Sequence, residues 1–189
     1  MSDRPSFVLS RVSLPMSWET LHAAPASEER EREARSNASV LGFLLNGVDL
    51  GAAQRAGDER LTEALAPLRV KLDVIIDMLG RIAYRDLAVP PIYDIELSFE
   101  RMAWQSPAPL RVGDWLRIKL FFDLKFLEPI VMFARVTNSV PDDDTGGCSV
   151  QAEFTGMPSE TENAFARLAF LAQRRQLAQR PPLAVKAMR

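Results

Sequence analysis

Apolar and polar residues alternate along several segments of the chain, which is typical of strands that bury one face. The alternating segments are residues 12–18, 95–99, 116–122, 130–136 and 148–154. Turn-forming residues separate the later segments, at 106–107, 112–114 and 141–147. Pro15 falls on the outward face of the first segment, where a residue without an N–H indicates either a strand edge or a strand with one unpaired amide. Short strands at this spacing predict a small antiparallel barrel.

A helical period covers the region between the first and second of these segments. Apolar residues recur there at alternating spacings of four and three, and together they form the heptad stripe: Leu61, Leu65, Leu68, Leu72, Ile75, Leu79 and Ile82. Leucine fills one heptad position throughout and isoleucine enters the other, which favours bundles of three or four helices. The stripe therefore predicts a homo-oligomer, most simply a tetramer. The alternative is that it packs on the protein's own barrel.

Three features complete the helical prediction. Pro67 lies on the side away from the heptad stripe, where it either kinks the helix or marks its restart. An earlier helix carries its own apolar stripe: Ala38, Leu41, Leu45, Val48 and Ala52. Near the C-terminus, Ser159 and Glu162 form a capping box, and Phe165, Leu168 and Ala169 follow on one face. We expect this last helix to close an open end of the barrel.

The order of the elements predicts an α+β fold in which helices interrupt a barrel. Residues 7–22 and 90–178 form the predicted barrel with its C-terminal helix. Residues 26–88 form an inserted helical oligomerisation region, and residues 179–189 are predicted to be a mobile tail.

Composition and charge exclude several classes of function. The formal net charge is −2, which gives no overall attraction for nucleic acid. One cysteine, Cys148, and one histidine, His22, exclude a disulfide framework and the common metal and triad arrangements. The chain has neither a signal-peptide pattern nor an apolar run of the ~18 residues that a membrane span requires. We therefore expect a cytoplasmic protein with no catalytic residues, metal or cofactor.

Several short sequence segments on either side of the helical region follow one another in a definite order. They are residues 11–14, 95–101, 110–116, 131–136 and 146–154, and then a helix that ends in Gln173-Arg174-Arg175-Gln176. This order resembles the PilZ domain, the bacterial receptor module for cyclic di-GMP. The resemblance implies a small antiparallel barrel with the helical region inserted between its first and second strands.

The ligand motifs of the PilZ family are incomplete in this sequence. Family members bind cyclic di-GMP with Arg-x-x-x-Arg before the first strand and Asp/Asn-x-Ser-x-x-Gly on the second. Arg11 is similar to the second arginine of the first motif, but Phe7 stands in the place of the first arginine. In the second motif, Glu96 replaces Asp/Asn, Ser98 is retained and Arg101 replaces Gly.

The resemblance and its departures together imply a function. We expect an oligomeric, non-enzymatic adaptor in cyclic di-GMP signalling that does not bind the dinucleotide and acts through an unidentified protein partner. The alternative is a weak, degenerate cyclic di-GMP receptor that uses Arg11, Ser98 and Arg101.

Overall fold

The computed structural model describes residues 10–53, 59–83, 89–123, 128–142, 146–156 and 158–179. In chain order, the elements are β1 (Ser10–Leu21), α1 (Ser27–Ala53), α2 (Glu59–Ala83), β2 (Ile92–Leu97), β3 (Arg101–Ser106), β4 (Trp115–Leu120), β5 (Ile130–Asp142), β6 (Gly147–Phe154) and α3 (Ser159–Gln179). Phe7 and residues 180–189 of the predicted tail lie outside the described residues.

The strands close into an antiparallel barrel in the order β1-β2-β3-β6-β5-β4, which confirms the predicted fold class. β1 closes the barrel by pairing with two neighbours in turn. Its first half pairs with β2 and its second half, from Met16, pairs with β4. Pro15 lies where the partner changes, so the missing N–H of proline falls where β1 leaves one ladder for the next.

The inward residues of the strands form one apolar core. Val12, Leu14 and Met16 of β1 are buried as the alternation predicts, and so are the inward residues of the other strands. The cysteine, Cys148, is among these buried residues, and His22 is exposed just beyond β1.

One strand prediction was wrong, because the alternation between residues 95 and 99 does not belong to a single strand. β2 ends at Leu97, and Ser98–Glu100 form the turn of a hairpin to β3. Phe99 continues the apolar alternation because it packs, partly buried, against the core from within the turn, while the hydroxyl of Ser98 bonds to the turn backbone. The register of this hairpin places Leu97 opposite Met102.

α3 closes one end of the barrel, as predicted. Phe165 is fully buried, and its ring makes edge contacts with the rings of Phe122 and Phe154 at centroid distances of 5.9 and 6.2 Å. Leu168 and Ala169 lie on the same face and are also buried. This helix therefore completes the apolar core of the barrel.

α1 is held against the barrel by polar groups as well as apolar ones. The Arg117 guanidinium on β4 lies 2.6 Å from the carboxylate of Glu33. Asn37 forms a pair of hydrogen bonds with the backbone of Val131: its Nδ2 donates to the carbonyl at 2.6 Å, and its Oδ1 accepts from the N–H at 2.9 Å. Leu41 is buried beside them.

α2 runs without interruption through Pro67, so of the two alternatives left open by the sequence the restart is excluded. Most of its apolar side chains that the structure describes are exposed to solvent. The members of the heptad stripe whose side chains the structure describes, Leu65, Leu68, Leu72, Ile75, Leu79 and Ile82, are between 49% and 72% exposed. The barrel of the same chain therefore does not cover the stripe, which contradicts the alternative of packing on it.

Candidate binding groove

A groove runs across the outer face of β1, β2, β3 and β6, with the last turns of α3 as one wall. Its volume is about 620 Å³. Strand register places the outward side chains of its floor in two rows. The first row holds Arg11, Glu96, Ala103 and Gln151, and the second holds Ser13, Asp94, Gln105 and Ser149. Gln173, Gln176 and Leu177 of α3 line the wall.

The ionic groups of the floor lie on β1 and β2, where each contacts a side chain of the other strand. Arg11 Nε donates to Glu96 Oε1 at 2.9 Å, and its Nη2 lies 2.6 Å from the same oxygen. The hydroxyl of Ser13 donates to the carboxylate of Asp94. Arg11 is the cationic residue of this lining among the described residues, and its guanidinium is already engaged with a carboxylate.

Ser98 and Arg101 are absent from the groove lining, although sequence motifs grouped them with Arg11 and Glu96. The Ser98 hydroxyl is used within the β2–β3 hairpin. It accepts from the N–H of Arg101 at 3.0 Å and of Glu100 at 3.3 Å, and it donates to the Arg101 carbonyl at 3.1 Å. No non-glycine residue in the described ranges has a positive φ, so Arg101 takes the place of the motif glycine without a left-handed backbone.

Gln176 is a site residue that sequence reasoning missed. Its Oε1 accepts from the N–H of Ser13 at 2.9 Å, and its Nε2 donates to the Ser13 carbonyl at 2.7 Å. The side chain thus binds backbone groups of β1 close to the point where the pairing of β1 with β4 begins. A glutamine near the end of a helix carries no sequence signal for this contact, because it depends on how α3 lies across the barrel.

The groove is lined mainly by hydrogen-bonding side chains. The described residues contain no cluster of three side chains able to hold a metal ion. The thiol of Cys148 is buried in the core and donates to the Ala108 carbonyl at 3.4 Å, and neither it nor His22 lines the groove. No helix in the described ranges is long and apolar enough to cross a membrane.

Comparison with known proteins supports the architecture. No family sequence profile matches the chain, and no curated protein sequence is similar to it. A solved structure does match: a pathogenic protein from Xanthomonas campestris, described as a new tetrameric PilZ domain self-assembled via an unusual helical bundle. Its identity to this chain is 20% and its TM-score is 0.72, over 93% of each chain.

A second solved structure, the inhibitor of motility from Bacillus subtilis, is 18% identical, with a TM-score of 0.35. The match covers 48% of this chain and 44% of that one. The similarity to the Xanthomonas protein extends over the barrel and the helices together. At 20% identity, this structural similarity establishes the fold alone. The resemblance read from the order of the sequence segments is therefore confirmed at that level: the chain has the fold of a PilZ domain.

Proposed function

We propose that this protein is a non-enzymatic adaptor in bacterial cyclic di-GMP signalling that assembles from several copies and does not itself bind the dinucleotide. The observation that carries the proposal is the ion pair between Arg11 and Glu96 on the groove floor. In the PilZ family the matching arginine grips phosphate or guanine, a role that suits the bidentate geometry of a guanidinium.

The ion pair lowers the affinity that a cyclic dinucleotide would have here. The ligand would have to replace Glu96 on the guanidinium, and the negative charge of Glu96 and Asp94 would then face its phosphates. Phe7 stands in the place of the first arginine of the motif, so that arginine is lost. Each charged hydrogen bond lost costs ~1.5–3 kcal/mol, so the loss of the two hydrogen bonds that one bidentate arginine makes weakens binding by roughly a hundredfold or more.

The alternative, a weak receptor that uses Arg11, Ser98 and Arg101, has less support. Residue Ser98 is 6% exposed, and its hydroxyl is hydrogen-bonded within the hairpin. Arg101 is exposed, but it lies outside the groove. A ligand that used all three groups would have to displace the Ser98 hydroxyl from the hairpin and extend beyond the groove lining to Arg101.

Titration calorimetry with cyclic di-GMP tests this part of the proposal. We expect no saturable heat at tens of micromolar ligand for the natural chain. Glu96→Asn, which frees Arg11 and restores a motif residue, is the matched variant, and any binding should appear there first. A saturating isotherm for the natural chain at these concentrations would show that it is a receptor and not solely an adaptor.

We further propose that the helices assemble the protein as a tetramer. The support is the exposure of the heptad stripe, since six leucine and isoleucine side chains about half exposed are unusual on an isolated soluble chain. The Xanthomonas protein with the same fold is a tetramer self-assembled via a helical bundle. Four barrels carried on one bundle would present four copies of the groove.

The proposed role needs neither catalysis nor a membrane. The two residues most often used in catalysis lie apart: Cys148 is buried in the core, and His22 is exposed at the surface. An unpaired buried cysteine is compatible with a reducing compartment, which supports the proposed cytoplasmic location.

A further inference from the structure

We propose that the groove is the partner-docking surface of the adaptor and that its occupant is an extended peptide segment of a protein partner that carries a basic and an apolar residue. This inference rests on the proposed adaptor function and adds the place and the chemistry of the contact. It is carried by the charge of the groove floor, by its unused carboxamides and by an apolar border on α3.

The charge of the lining disfavours an anionic occupant. Its ionisable side chains are Arg11, Asp94 and Glu96, and Arg11 is paired with Glu96. A phosphorylated or strongly acidic segment would meet carboxylates without an uncommitted cation among the described lining residues. A segment with a lysine or arginine would instead complement Asp94 and Glu96.

The other half of the floor offers neutral hydrogen-bonding groups. Gln105 on β3 and Gln151 on β6 project outward next to Ser149, and Gln173 faces them from α3. The carboxamides of these glutamines make no hydrogen bond with the described part of the chain. Each carboxamide provides both donors and an acceptor, which is the pattern that the N–H and C=O groups of an extended peptide require. Gln176 shows the same chemistry on this chain, because its carboxamide binds both backbone groups of Ser13.

An apolar border on α3 gives the surface its second component. Leu177 lines the groove and is 55% exposed, and Phe170, seven residues earlier on the same side of the helix, is 48% exposed. An apolar side chain of the segment would bury this border while the polar floor holds its backbone. A few apolar anchors of this kind usually dominate the affinity of an interface.

Selection from a random heptapeptide phage library against the immobilised full-length protein tests the proposal. We expect enriched peptides that combine an apolar residue with a basic one and lack acidic residues. Ala103→Tyr places a large side chain in the middle of the floor, and Asn138→Tyr places the same side chain on an exposed position of β5 outside the groove. Tyrosine is well tolerated on strands, so both variants should fold, which a thermal melt checks.

The selected peptides should bind Ala103→Tyr at least about tenfold more weakly than the natural chain, and Asn138→Tyr equally well. The proposal is overturned if no peptide is enriched, if the enriched peptides are acidic, or if Ala103→Tyr binds them like Asn138→Tyr. Those results would leave the adaptor function itself standing, because calorimetry with cyclic di-GMP tests it independently.

Discussion

The heptad stripe provides the most direct test of assembly. Replacing both Leu72 and Ile75 with aspartate puts two carboxylates in its middle, at side chains that are 53% and 50% exposed in the single chain. Fully burying such a side chain contributes ~1.5–3 kcal/mol, so the half still exposed contributes roughly 1 kcal/mol on association. Over four chains the double variant loses about 8 kcal/mol, before the cost of burying charge is added.

A loss of that size shifts the assembly equilibrium by roughly five powers of ten or more. Light scattering after size-exclusion chromatography, at micromolar protein, should therefore give about four times 21.1 kDa for the natural chain and a smaller mass for the double variant. Ala66→Asp with Val70→Asp is the matched control, because these exposed positions lie on the opposite side of α2. A natural mass near 21.1 kDa, or a double variant of unchanged mass, would refute the reasoning.

Three further substitutions test contacts within the barrel, with urea unfolding as the measurement. Gly147→Ala should lower the free energy of unfolding by ~1–3 kcal/mol or prevent folding, because an added methyl group overlaps a carbonyl oxygen of β3. Asn37→Ala should cost about 2–4 kcal/mol, since the buried N–H and C=O of Val131 lose their partners, and an unchanged midpoint would show that water replaces the side chain. Arg11→Ala should change stability by less than ~1 kcal/mol because its ion pair with Glu96 is largely in solvent; a larger loss would indicate that the pair holds the barrel together.

The sequence was sufficient to predict those elements in which the buried residues recur at a single helical or strand period. Residues 116–120 of β4 and the buried face of α3 have apolar residues wherever the structure buries a side chain, apart from Thr161 in the first turn of α3. The heptad stripe was equally visible, because its regularity does not depend on what covers it. Turn chemistry was less visible: Ser98 ends β2 through hydrogen bonds to the following backbone, while Phe99 continues the apolar alternation.

The docking of α1 was not predictable from apolar periodicity. The predicted stripe began at Ala38, which is exposed, and the buried face begins instead with Glu33 and Asn37. These polar residues face the barrel because Arg117 and the backbone of Val131 satisfy them there. The groove could not be predicted from the sequence for a similar reason. Its wall depends on Gln176, whose partner Ser13 is 163 residues away in the chain.

The position of the helical insertion also has a consequence for the order in which the chain acquires structure. Ser13 of β1 pairs with Asp94 of β2, 81 residues later, so β1 leaves the ribosome long before its first partner strand exists. Local helices form in about a microsecond, whereas the closure of so long a loop must wait for synthesis and then overcome its entropy. The hairpins among β2, β3, β5 and β6 have much shorter loops, and we expect them to form first. Adding β1 is then the late step that converts an open sheet into a barrel, and nascent chains that stop before Asp94 should remain sensitive to protease throughout β1.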